Sequence, residues 1–432
     1  MYNSFRTTPP PIKSFEPLVL PSIQTLRDEG GKSRILVTEC GNAPANLVSF
    51  FWNFGPDRMG GSPILSLTMP MLLQGTRSFT GAQIADRIDF LGAYVTPGVT
   101  TSYCTIDTTS LNRFTPELLE LVEEVVENSD FPAERFEALK RKELARYDLL
   151  MSRTSHLAQV RLSTLLAGKD HPYCRQPSRS EIEAVTLNDV KQCWKEGVLR
   201  SELTVLATGM IDSQLREKLT MLAGKWKPIK SKSASVLVPY QPETSGTYTI
   251  SKEDASQTSV AIGLPISIGR EHPDYIPLRM AVTALGGYFG SRLNTNIREK
   301  LGLTYGISAY LASTPEGTAL RIHSDCDPRY VKRVIEEINR ETESLCEKTL
   351  PEDELLRLLS YYTTTQAAVL ESFRSIASYR SAQLTAGFPE DYFERQQKAI
   401  QEINSSILKN VAKQYIHFEK AITVIAGPKL IS

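Results

Sequence analysis

The sequence predicts an α+β protein made of two similar α/β-sandwich domains, each of roughly 200 residues. Three observations carry this reading. Phe131-Pro-Ala-Glu-Arg-Phe-Glu resembles Leu350-Pro-Glu-Asp-Glu-Leu-Leu, and Thr204-Val-Leu-Ala matches Thr423-Val-Ile-Ala, both pairs being 219 residues apart. Strand-like and helix-like patterns follow one another in the same plan in each half. Between the halves, Lys227 to Gly246 is rich in Lys, Ser and Pro, with little helical periodicity, as suits a linker. The expected organisation is a domain over 1–226, a linker over 227–246 and a second domain over 247–432. The period is far too long for a solenoid, so each copy is expected to be a complete domain.

The first half is expected to open as a β-hairpin. Arg34 to Thr38 reads as a strand after the Gly30-Gly31 turn, and Leu47 to Phe54 reads as another, ended by Gly55-Pro56. A helix follows, with Ser62 as N-cap and Pro63 in the first turn. Thr80-Gly-Ala-Gln83 has the spacing of a capping box; Ile84, Ile88 and Leu91 share one face, and Gly92 is a stop. Tyr103 to Leu111 reads as a strand, and Thr115-Pro116 starts a helix carrying Leu118, Leu119, Val122 and Val126. Helical patterns then run from Pro132 to Gly168, and Leu203 to Gly209 reads as a buried strand.

Composition excludes several function classes. Lys+Arg and Asp+Glu both number 49, so no global field draws the chain to nucleic acid or to a membrane surface. The cluster Lys227, Lys230 and Lys232 reads as a solvated hinge. No stretch approaches the roughly 20 apolar residues of a membrane span. The N-terminus lacks a basic start followed by an apolar run, so a cytoplasmic location is expected. The six cysteines are scattered without a CxxC pair, which reads as buried thiols in a reducing compartment. There is no G-x-S-x-G elbow, phosphate-binding glycine loop or G-x-G-x-x-G. Gly286-Gly287-Tyr-Phe-Gly290 is expected to let a helix end pack closely on a sheet.

The most informative segment is Leu65-Ser-Leu-Thr-Met69-Pro70-Met-Leu72-Leu-Gln-Gly75-Thr76. It resembles the zinc helix of the pitrilysin/insulinase-type (M16) metallopeptidases, which reads His-x-x-Glu-His and runs on into Leu-x-x-Gly-Thr. Further similar motifs keep the family's order: Phe131-Pro-Ala-Glu, His171-Pro172-Tyr173, Val205-Leu-Ala-Thr-Gly209, Leu285-Gly-Gly287, Ser291-Arg-Leu293 and Ile297-Arg298-Glu-Lys-Leu-Gly-Leu-Thr-Tyr305. The resemblance covers nearly the whole chain and implies that its two domains form a half-clamshell.

The chemistry of that helix is missing. Two histidines one turn apart would bind zinc, and a glutamate between them would deprotonate the metal-bound water. Aligned on Leu72 to Thr76, those positions hold Ser66, Met69 and Pro70. Serine is a poor zinc ligand, a thioether is no base, and proline brings no ligand atom. Pro70 also removes a backbone donor and is expected to kink or end the helix. The family spacing places the third ligand at Arg146, with Glu143 one turn earlier on the same face. The five histidines lie at least 15 residues apart, so no local pair replaces the missing one. His171 is expected to be packed or capping.

Resemblance to the family assigns Arg298 and Tyr305 to the substrate end, as donors to the peptide backbone and developing oxyanion. The residue-level alternative is an Arg298 salt bridge and a packing Tyr305. The implied role is a non-catalytic, substrate-binding subunit of a heterodimeric zinc endopeptidase, with no metal or catalytic residue of its own. Its partner would be an M16 subunit carrying His-x-x-Glu-His, the zinc and the general base; its substrate would be an extended peptide added to a sheet edge. A non-catalytic scaffold or peptide-binding protein of the same fold is the alternative.

Overall fold

A computed structural model of the chain describes residues 17–27, 33–169, 171–172, 174–226 and 238–429. Its first half runs β1 (Gln24–Arg27), β2 (Arg34–Glu39), β3 (Ala45–Trp52), α1 (Ile64–Met71), α2 (Gly81–Phe90), β4 (Tyr94–Val99), β5 (Cys104–Leu111) and α3 (Thr115–Asn128). Then come α4 (Ala133–Met151), α5 (Thr154–Ala167), α6 (Arg179–Ala184), α7 (Leu187–Gln192), β6 (Leu203–Gly209) and α8 (Ser213–Lys225). The second half runs β7 (Gly246–Ser251), β8 (Thr258–Ile266), α9 (Tyr275–Gly286), β9 (Thr304–Thr314), β10 (Gly317–Cys326) and α10 (Val331–Glu347). It closes with α11 (Glu352–Val369), α12 (Phe373–Ala386), α13 (Tyr392–Glu402), α14 (Ser405–Tyr415) and β11 (Ile422–Gly427).

Two mixed sheets result, ordered β1-β2-β6-β3-β5-β4 and β7-β11-β8-β10-β9. Apart from the extra β1, they share one topology. In each, the last strand of the half inserts beside the first in parallel (β2 with β6, β7 with β11) and antiparallel to the next (β3, β8). All seven residues of β6 and all six of β11 are buried, the mark of central strands covered on both faces.

The expected hairpin of the two opening strands does not form. β6 lies between β2 and β3, and β2 instead forms an antiparallel pair with β1. Hairpin logic considers only strands adjacent in sequence; here a strand from more than 150 residues later satisfies both inner edges. The Gly30-Gly31 turn and Lys227, Lys230 and Lys232 lie outside the described residues. Of the expected linker, 238–245 lies along α5, where Gln241 and Glu243 N–H groups donate to Ala167 and Leu165 carbonyls.

Local signals elsewhere hold. Thr80 and Gln83 form both halves of the capping box on α2, and Gly92 follows that helix at φ 57°. Pro63, one residue later than expected, caps α1, while Ser62 Oγ accepts the Ile64 N–H. His171 is buried, its Nε2 donating to the Val238 carbonyl at 2.7 Å. A Cβ on Gly286 would stand 2.7 Å from the Ala309 backbone nitrogen, so glycine lets α9 meet β9. All six cysteines are free thiols, with Cys104, Cys193 and Cys326 buried.

Each half keeps its own helices on one face of its sheet and lends a helix to the other half. From the first half, α5 places Ala158, Leu162, Leu165 and Leu166 on Ala261, Ala319, Ile422, Val424 and Ala426 of the second sheet. Reciprocally, α12 brings Leu384 onto Leu36, Phe51 and Leu206 of the first sheet. These two helices keep the 219-residue shift from end to end. In the central strands that shift preserves type but not face. Leu206 faces the lent helix in one sheet, whereas Val424, and not Ile425, does so in the other. Alternate strand residues point to opposite faces, so one residue of slip inverts them.

The lent helices join the halves through apolar burial. Leu162 is fully buried between the halves. Leu162→Ala is expected to destabilise the fold by about 3 kcal/mol, the range for a buried Leu→Ala cavity. Urea unfolding followed by circular dichroism measures it; an unchanged midpoint would remove α5 from its assigned place.

Candidate functional site

Two clefts hold the residues singled out by sequence. The first, of about 480 Å³, lies beside α1 and is lined by Ser66, Glu143, Arg146, Tyr147 and Arg175, with Val99 at the end of edge strand β4. Ser66 and Arg146 thus meet in one cleft, on α1 and α4. Met69 and Pro70 do not line it: Met69 is fully buried in the first core, beside Leu65, Leu67 and Leu72 in one cluster.

Each of the four positions is committed to something other than a metal. The Ser66 hydroxyl donates back to the Pro63 carbonyl at 2.8 Å, within its own helix. Pro70 sits inside α1, which ends one residue later and tightens into a three-residue 3₁₀ turn over Leu72–Gln74. The proline cannot donate to the Ser66 carbonyl, and the expected helix end follows. Arg146 makes a two-pronged ion pair with Glu143, Nε to Oε2 at 2.8 Å and Nη2 to Oε1 at 2.5 Å. Those bonds hold the guanidinium more firmly protonated than usual. The Glu143 carboxylate that a small alignment slip could have returned to metal binding is therefore already bound to a cation.

His156 is electrostatically coupled to this pair. Burial, and then the Arg146 charge, pull its imidazole below the usual histidine pKa. A serine hydroxyl and an arginine-bound carboxylate do not fit a zinc ion, which needs three or four converging N, S or O donors. Among the described residues, no group of three His, Cys, Asp or Glu side chains is placed to hold a metal. Sequence reading missed Arg175, whose guanidinium pairs with Glu181 and donates to the Gly60 carbonyl at 3.0 Å. No motif spans those three residues, so only the fold brings them together.

The second cleft, of about 570 Å³, contains both Arg298 and Tyr305 with Gln257, Asp325, Asp327 and Tyr330. Arg298 projects from a wide helical turn over Asn294–Lys300. Its guanidinium lies 4.6 Å above the Phe289 ring, a cation–π contact that orients the group without consuming its donors. The salt bridge considered for Arg298 is not formed among the described residues. Tyr305, the second residue of β9, is 89% exposed and so is not a packing aromatic. β9 is an edge strand of the second sheet. The pair thus presents a phenol and a guanidinium beside a row of unpaired backbone groups. Nearby, Asp325 accepts from Ser259 and lies 3.5 Å from His323; its pKa is lowered by those hydrogen bonds despite burial, which opposes them.

Residues 184–362 match the model of the peptidase M16 inactive domain. Over that segment, which includes Arg298 and Tyr305, the chain is similar to the peptidase M16 family. It is 24% identical over 181 residues to an uncharacterized zinc protease of Streptomyces coelicolor, covering 41% of this chain and 39% of that protein. It is 22% identical over 245 residues to the non-peptidase homolog YmxG of Helicobacter pylori, covering 56% of each. The chain therefore spans less than two thirds of the length of these relatives. Its fold is similar to the crystal structure of a peptidase M16 inactive domain from Pseudomonas fluorescens, with a TM-score of 0.84 and 22% identity. That match covers 95% of this chain and 99% of that one. The names of these relatives point both ways, to protease and to non-peptidase. The matched segment does not include α1 or α4, where the described residues hold no group of metal ligands.

The α1 geometry makes one quantitative expectation. Pro70→Ala would restore a donor to the Ser66 carbonyl and is expected to stabilise the protein by about 1 kcal/mol. A higher urea midpoint reports it; a lower one would mean that the 3₁₀ turn after Pro70 is needed for packing.

Proposed function

We propose that this chain is an M16-type, non-catalytic, substrate-binding subunit of a heterodimeric zinc endopeptidase. The observation supporting this reading is the second cleft. Arg298 and Tyr305 share it, beside the edge strand β9, and neither side chain has a hydrogen-bond partner among the described residues. An extended peptide lying along β9 would gain main-chain hydrogen bonds from the strand. Two strong donors at its start would then bind a peptide carbonyl and its developing negative charge. The first cleft supplies neither metal ligands nor a base, so hydrolysis would belong to a partner M16 subunit with a His-x-x-Glu-His helix.

The test is reconstitution with such a subunit. Arg298→Ala is expected to lower kcat/KM of the pair by about 10- to 100-fold, or roughly 1.4–2.7 kcal/mol of transition-state stabilisation. Tyr305→Phe, which removes only the hydroxyl, is expected to cost about tenfold. Wild-type activity in both variants would favour the scaffold reading. The purified chain alone is expected to hold substoichiometric zinc by elemental analysis; one tightly held zinc per chain would overturn the non-catalytic assignment.

A further inference from the structure

A third cleft, of about 420 Å³, lies on the second half between the segment leading into α9 and helices α13 and α14. Its floor is apolar, formed by Ile276, Pro277, Ile403 and Ile407. Most charges at its rim are matched. Arg395 pairs with Asp391 at 2.9 Å and reaches Glu271 at 3.8 Å, and Lys398 pairs with Glu402 at 3.8 Å. Arg270 is the exception. Its guanidinium stacks 4.6 Å over the Phe388 ring, and its buried Nε–H has no acceptor.

A second cation sits behind it. Arg279 donates through Nη1 to the Tyr392 hydroxyl at 3.1 Å, and Tyr392 itself lines the cleft. Phe388 and Tyr392 stack at 4.1 Å, so the two arginines flank one aromatic pair. Neither guanidinium makes an ion pair with a carboxylate within 4 Å among the described residues, although Tyr275 and Glu316 both act favourably on the Arg270 charge. Burial works against the Arg270 charge and lowers its pKa. Charges withdrawn from water are ordinarily paired, because desolvation costs more than stacking on a ring returns. Arg270, which lines the apolar hollow without an ion-pair partner, calls for an anion with a hydrocarbon part.

We propose that this cleft binds a small amphiphilic monocarboxylate. The carboxylate accepts from Arg270 and from the Tyr392 hydroxyl, and the carbon chain lies over Ile276, Ile403 and Ile407. A guanidinium suits a carboxylate through its planar fork of donors. The hollow is at the small end of ligand pockets, room for a short chain rather than a folded partner.

Ligand-observed NMR titration of the full chain with hexanoate, hexan-1-ol and hexylamine separates charge from apolarity. Hexanoate is expected to bind with Kd of about 1 mM or tighter, and the alcohol and amine at least about tenfold more weakly. Arg270→Gln is expected to weaken hexanoate by about tenfold while leaving the melting temperature near that of the wild type. Ala399→Leu, which fills the cleft without touching a charge, is expected to weaken it as well. Equal binding of hexan-1-ol, no hexanoate binding, or unchanged affinity in Arg270→Gln would each overturn the proposal. Should Arg270→Gln fail to fold, unchanged hexanoate affinity in Ala399→Leu would overturn it equally.

Discussion

The reciprocal loan of helices α5 and α12 is the contact on which the rest of the structure depends. A sheet with apolar residues on both faces needs a cover on both, and each half supplies only one cover from its own helices. The second sheet buries Ile422, Val424 and Ala426 under α5, and the first buries Leu36, Phe51 and Leu206 beneath α12. Neither half therefore completes its core alone. Polar contacts then set the register of the loan: Thr154 with Ser259 at 2.9 Å, Arg321 to Ser163 at 2.9 Å, and Arg380 to the Pro21 carbonyl at 2.7 Å. The Leu18 backbone is held at both its N–H and C=O by Gln397. With the halves joined in this way, the clefts beside α1 and β9 are parts of one body.

That constraint explains how α1 persists without its chemistry. Leu65, Leu67, Met69, Met71 and Leu72 all lie in the first core, so packing maintains the helix whatever occupies the cleft side. Substitutions facing the cleft leave the core untouched. Even Pro70, which would break an isolated helix, costs only the last turn, because Leu72 to Gln74 continue as a 3₁₀ turn. The Arg146–Glu143 pair completes the change: the cation sits where the resemblance expects a ligand, and it binds the neighbouring carboxylate.

Much of this was legible in the sequence, for identifiable reasons. The 219-residue repeat matched the starts of α4 and α11 and the central strands β6 and β11, whereas the pairing of α5 with α12 emerged only in the structure. Capping at Thr80, the helix end at Pro70 and the close approach at Gly286 are short-range effects, and short-range effects are written locally. The Arg298 and Tyr305 pairing was legible through its spacing within a family motif. What failed was long-range. The expected hairpin of β2 and β3 ignored β6, and the matched Thr-Val-Leu-Ala and Thr-Val-Ile-Ala strands turned opposite faces to the lent helices. Phe289 beneath Arg298 and Arg175 at the first cleft have no periodic signature, because they arrive from separate segments.

By itself, the sequence determined the α+β class, the duplication and the absence of the histidine pair and glutamate from the zinc-helix positions. Those depend on residue identity and local spacing. Only the tertiary structure decided which strands neighbour one another and which half covers which sheet. It also decided that the Arg146 guanidinium would be taken by Glu143 while Arg298 and Arg270 keep donors without acceptors. Partnership between charges is a matter of distance in space, and chain separation carries no information about it once helices cross between halves.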